Sequence, residues 1–172
     1  MKRMFLSCLM LLFCQMIVAQ QFVGTTPENR KVLIDEFTGR NCQYCPQGHI
    51  VSNRLMDNNP GRVFAINIHS CGEYVSYFSP TTYPNLNTDK GDIIRMNFDG
   101  CMLPSAMVNR ASEYAEMYDF WEGFTNEQLA QPAEVNIAGT VAIDASSRRA
   151  DITVEMYYTA NSNTTNNKLT VY

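Results

Sequence analysis

The sequence predicts an α/β domain followed by the opening strands of an antiparallel all-β domain. Two short apolar runs flank a stretch of helical spacing, the pattern of a βαβ unit with parallel strands. After Pro132 the pattern changes to alternation broken by polar turns, as in antiparallel strands. The composition is that of a folded chain: of 172 residues, 45% are apolar, 11% aromatic and only 17% charged. A net charge of −4 argues against a nucleic-acid partner, which needs a basic surface.

Residues 1–20 read as a secretory signal peptide. Lys2 and Arg3 precede an almost unbroken apolar run from Met4 to Val18, which ends at Ala19-Gln20 and is too short to span a bilayer as a mature helix. Phe13 stands before Cys14 where lipoprotein cleavage needs a small residue, which disfavours a lipid anchor. Removing Lys2 and Arg3 takes the charge from −4 to −6. No later apolar run is long enough for a membrane helix. The expectation is an acidic, exported protein of the periplasm or of the outer membrane and cell surface.

Residues 21–131 form the expected α/β domain. Gln20 to Arg30 is a polar leader. Lys31 to Phe37 is a mostly apolar run that suits a buried strand, and Cys42 to Asp57 has helical spacing at Ile50, Val51, Leu55 and Met56. Asn58-Asn59-Pro60-Gly61 stops that helix, and Arg62 to His69 reads as a second buried strand. Ser70 to Thr88 is a long loop, of the kind that is often functional. Asp89 to Phe98 suits a short helix, Ser105 to Asn109 a strand after Leu103-Pro104, and Glu113 to Gln131 a helix with Trp121 in its core. Thr125, with Gln128 three residues on, offers a cap for the second half of that helix. Residues 132–172 alternate over Glu134–Ile143 and Ala150–Tyr158, and Lys168 to Tyr172 starts a third strand. A chain ending inside such a strand leaves an open edge, so the β domain is read as truncated.

The chemistry lies in Cys42-Gln43-Tyr44-Cys45. Outside the cytosol, an even number of cysteines favours disulfides. Setting aside Cys8 and Cys14 of the leader leaves Cys42, Cys45, Cys71 and Cys101. A Cys-x-x-Cys pair that follows a buried strand and opens a helix has the context of a redox site. There the first thiolate is favoured by unpaired backbone N–H groups and the helix dipole. Cys42 would attack a substrate disulfide and Cys45 would resolve the mixed disulfide. Pro46 suits an early helical position. Glu36, at the end of the preceding strand, could lie under the sulfurs with a raised pKa and take the proton of Cys45; the plainer reading leaves Asp35 or Glu36 facing solvent. Leu103-Pro104 is a candidate cis peptide that would present backbone groups to an extended substrate.

The order strand, Cys-x-x-Cys, helix, strand, helix, Leu103-Pro104, strand, helix resembles the thioredoxin fold. The segments Val32–His49 (VLIDEFTGRNCQYCPQGH) and Leu103–Arg110 (LPSAMVNR) further resemble the outer membrane protein 28-related family of Gram-negative envelopes. That family joins an exported thioredoxin-like domain to a C-terminal β-sandwich region, and surface receptor or adhesin roles have been proposed for it. The resemblance implies that Arg62–His69 runs parallel to Lys31–Phe37 and that the strand after Pro104 runs antiparallel. All four cysteines would then gather on one rim, with a structural Cys71–Cys101 disulfide or an electron relay to Cys42–Cys45. Asn41 before the pair, and Gln43-Tyr44 within it, depart from the Trp and Gly-Pro usual in reducing thioredoxins, so the redox direction stays open.

Two other readings stand beside thiol–disulfide exchange with protein thiols or disulfides. Cys42, Cys45, His49 and His69 have donor types that zinc or Cu(I) accepts, although Pro46 excludes haem attachment and a lone helical histidine is more often a surface residue. No cofactor is otherwise implied. Alternatively, the fold is a scaffold with a locked disulfide, and the protein is a binding module for an envelope or surface partner. Tyr74, Tyr77, Phe78 and Tyr83 of the long loop would then form the contact surface, unless they pack on their own domain. Arg110 could pair with an acidic group or cap the sheet.

Overall fold

The computed structural model describes residues 22–40, 42–70, 86–98, 102–162 and 164–171. The proposed signal peptide, Cys71, Cys101 and the aromatic loop lie outside them. The described chain divides into two units, Asn29–Pro132 and a second made of residues 22–28 with those from Ala133 onward. The sequence reading placed residues 21–131 in the first unit; of these, the described residues 22–28 group with the second.

The first unit is mixed α/β. Its described elements are β1 (Val32–Thr38), α1 (Cys45–Asn58), β2 (Val63–His69), α2 (Asp89–Met96), β3 (Ser105–Val108), β4 (Glu116–Met117) and α3 (Trp121–Ala130). The sheet order is β2-β1-β3-β4. β2 runs parallel to β1, while β3 runs antiparallel to β1 and β4 to β3.

Six of the seven residues of β1 are buried, because it is a central strand covered on both faces. Val32 and Ile34 pack with Leu55, Val63, Ala106, Trp121 and Leu129. On the other face Phe37 packs with Ile68 and Met107, and Ile94 and Phe98 close over them. Asn109 pins the far end of β1: its Oδ1 accepts the Leu33 N–H at 2.8 Å and its Nδ2 donates to the Lys31 carbonyl at 3.0 Å. It continues the ladder with a side chain where its own backbone has turned to a φ of +52°.

Several sequence expectations are corrected here. β2 borders the described sheet and exposes Phe64, so it is not buried on both faces. The predicted helix over Glu113–Gln131 begins only at Trp121; Glu116 and Met117 pair instead with Ala106 and Ser105. Thr125 caps nothing, since it is fully buried in the middle of α3, whose N-cap is Phe120. Trp121 is fully buried, and its Nε1 donates to the Glu116 carbonyl at 2.8 Å.

The second unit is an antiparallel hairpin of β5 (Val135–Asp144) and β6 (Arg149–Tyr158). The register puts Val135, Ile137, Val141 and Ile143 on the same face as Ile152, Val154, Met156 and Tyr158. Most of that apolar face is exposed. Ser146 and Ser147 donate to the Asp144 carboxylate at the turn and hold its pKa well below the usual carboxylate range. The leading segment runs beside β5: Asn136 Nδ2 donates to the Gly24 and Thr26 carbonyls at 2.8 and 2.7 Å. Residues 168–171 form no strand, contrary to the sequence expectation. Alternation alone does not form a strand without a neighbour to take its ladder bonds.

Candidate active site

The site gathers at the C-terminal end of β1, under the first turns of α1. Cys42 and Cys45 are joined in a disulfide. Cys42 lies in the turn before the helix, held by its N–H donating to the Gly39 carbonyl. α1 starts at Cys45, three residues later than the spacing suggested, because Pro46 lacks the N–H that an earlier start would use. The Cys45 N–H donates to Cys42 Sγ at 3.1 Å. A free backbone donor at the helix start therefore addresses the outer sulfur. Cys42 is half-buried and Cys45 is 1% exposed.

The buried face of α1 carries Cys45, Gly48, Ser52 and Leu55, at intervals of three and four. β1 alternates beneath it, so Glu36 and Thr38 turn toward α1 while Asp35 turns away. Glu36 is 0% exposed. Its Oε2 accepts the Ser52 hydroxyl at 2.9 Å, and His49 Nδ1 stands 2.8 Å from its Oε1. That second contact is close but poorly directed, since Oε1 meets no donor of good hydrogen-bond geometry among the described residues. His49 Nε2 lies 3.5 Å from Thr38 Oγ1, and the His49 side chain is 37% exposed.

Burial pushes the Glu36 pKa up; the Ser52 hydroxyl and the His49 ring pull it back without cancelling the rise. His69 ends β2 opposite Thr38, and burial holds its pKa down, with the charge of His49 adding to the effect. Both histidines of the chain thus belong to one neighbourhood around the end of β1.

Gly48 makes the close packing possible. A Cβ on it would stand 2.8 Å from Glu36 Oε1, 2.9 Å from Pro104 Cβ and 3.0 Å from Trp121 Cη2. Hence Pro104, immediately before β3, sits against the same helical turn as Glu36. The Leu103–Pro104 peptide is cis.

On the opposite face of β1, Asp35 is 1% exposed and Arg110 Nε donates to its Oδ2 at 2.7 Å. Burial raises the Asp35 pKa, and the Arg110 hydrogen bond and charge oppose it. Neither Asp35 nor Glu36 faces solvent, so the plainer sequence reading of these carboxyls is set aside.

The structure thus bonds Cys42 to Cys45 at the opening of α1 and packs Glu36 and Pro104 against Gly48 on the same helix, one turn on from Cys45. It also brings in His49, proposed from sequence only as a metal donor, with Thr38, Gly48 and Ser52, which sequence reasoning missed. The available signal was the run of small residues on one face of α1. Among the described residues no group of three or more His, Cys, Asp or Glu side chains is arranged to hold a metal ion. Members of the alternative set of Cys42, Cys45, His49 and His69 are engaged otherwise here. Its sulfurs are bonded to each other, and the nearest carboxylate already occupies His49. No described helix is long and apolar enough to cross a membrane.

No family model and no curated protein matches the chain. A crystal structure of an Agrobacterium tumefaciens protein, solved as a structural-genomics target, is similar at 13% identity and a TM-score of 0.44. The similarity covers 78% of this chain and 77% of that one. A likeness at that level carries neither fold nor function across.

Proposed function

We propose that the protein is an exported envelope module that performs thiol–disulfide exchange at Cys42–Cys45, on a thioredoxin-like domain. The observation that carries this reading is a disulfide at the opening of α1 with a buried carboxyl, Glu36, under the same helical face. The strand directions support the thioredoxin-like part, since β2 is parallel and β3 antiparallel to β1, as that resemblance implies. Export, and a place in the periplasm or outer membrane, rest on residues 1–20.

In the reduced protein the Cys42 thiolate attacks one sulfur of a substrate disulfide, and the other sulfur leaves as a thiolate with the bonding electrons. The buried Cys45 thiol then gives its proton to the Glu36 carboxylate. The resulting thiolate attacks Cys42 Sγ, the Cys42–Cys45 bond forms, and the second substrate sulfur departs. Two electrons pass from the dithiol to the substrate. A partner of higher or lower potential sets the direction.

A redox titration of the mature protein in glutathione buffers, with alkylated peptides mapped by mass, tests the reading. Reversible reduction of Cys42–Cys45 between roughly −120 and −270 mV, with retention of a Cys71–Cys101 bond, is the expected result. Resistance below about −300 mV would mark a structural bond and make the protein a binding module on an inert scaffold.

A further inference from the structure

The exchange step needs a base under Cys45, but it also needs that base to be restored. Glu36 is fully buried, so a proton taken from Cys45 cannot pass directly to water. Among the described ionisable groups, the surroundings of Glu36 offer His49 from α1 and His69 from β2. β3 places Ala106 opposite Glu36, and α3 brings Trp121 to the same helical turn. Ser52 donates to Oε2 and contributes no exchangeable charge.

Among the described residues, His49 links the buried carboxyl to the surface. One ring nitrogen stands 2.8 Å from Glu36 Oε1, and more than a third of the side chain is open to solvent. Imidazole can accept a proton at one nitrogen and release another from the second. The 2.8 Å separation is short enough for a proton to pass directly between the two groups.

We propose that His49 carries the proton between buried Glu36 and solvent during each exchange cycle. The inference rests on the exchange reading above and extends it. The Glu36 carboxylic acid gives its proton to His49 Nδ1, and the imidazolium releases one from Nε2, which stands 3.5 Å from Thr38 Oγ1, to solvent at the exposed side of the ring. The carboxylate is thereby restored, and no electron moves in this step. In the reverse direction the same two atoms deliver a proton inward to the departing Cys45 thiolate. His49 touches no reacting sulfur; it is a positioning residue that acts through Glu36.

The test mixes the reduced intact protein with oxidised glutathione. Closure of Cys42–Cys45 is followed by rapid acid quench and alkylation across a pH series. Wild type, His49→Ala, His49→Gln, Glu36→Gln and the Glu36→Gln/His49→Ala double variant are compared, with and without added imidazole. His49→Ala is expected to slow closure at least tenfold and to change the pH profile. Imidazole should restore much of the loss, and the His49 substitution should cost nothing further once Glu36 is Gln. His49→Gln provides the same comparison if the alanine variant folds poorly. A wild type that exchanges, with His49 variants of unchanged rate and pH profile, overturns the proton role alone. A slowing that imidazole does not relieve and that persists in the Glu36→Gln background also overturns it, and makes His49 a packing residue. A wild type that exchanges with no disulfide overturns the proposed function and this inference with it.

Discussion

The two faces of the sheet each hold one buried carboxyl from β1, and the two differ in the partner they meet. Asp35 turns to one face and meets Arg110, whose guanidinium keeps its proton at any working pH. Glu36, the next residue, turns to the other and meets His49 and Ser52 of the helix that Cys45 opens. Burial raises the pKa of both. The Arg110 pairing can only hold a charge in place, whereas the His49 pairing can pass a proton on. Two adjacent residues of similar chemistry thus diverge through the pleat of one strand.

The largest expected effect breaks the first pair. Arg110→Met leaves Asp35 buried and uncompensated, and should cost ~3 kcal/mol of unfolding free energy. That is the low end for a buried pair, because the guanidinium is partly wet. Urea unfolding measures it, and redox behaviour should change little in the surviving folded protein. The next prediction closes the space around Glu36. Gly48→Ala must push the carboxyl, Pro104 or Trp121 aside, for a loss of about 1–3 kcal/mol. It should also disturb the closure rate of Cys42–Cys45, which Arg110→Met should not.

The smallest effect is one of sign. Glu36 binds its proton more tightly folded than unfolded, so its contribution to stability is largest at low pH. That contribution falls as pH rises above 4.5, the ordinary glutamate value, through the raised folded value. Glu36→Gln should therefore gain stability relative to wild type as pH rises through that window, while losing exchange rate. Unfolding curves for both proteins across the pH series check this. A constant difference between them would mean that Glu36 does not titrate in that window.

The scaffold was largely legible in the sequence. Short apolar runs, a Cys-x-x-Cys and an Asn-Pro-Gly stop are local signals, and they placed β1, α1 and β2 to within a few residues. β4 was not legible, because two residues carry no period; it exists through its pairing with Ser105 and Ala106. The carboxyls were ambiguous because alternation assumes one wet face, and β1 has none. Arg110 lies 75 residues from Asp35, and no local pattern links the two. His49 looked like an isolated surface histidine, since the residue that gives it a role belongs to a different element.

The Asn109 clamp on Leu33 and Lys31 acquires a second meaning from this arrangement. A strand has no marker of its own for which residue belongs under α1, and a slip of one position would exchange the two faces. Asp35 would then face α1 and Glu36 would face Arg110. One side-chain amide at the far end of β1 thus serves as an alignment mark, setting by position alone which carboxyl is anchored and which is free to trade protons.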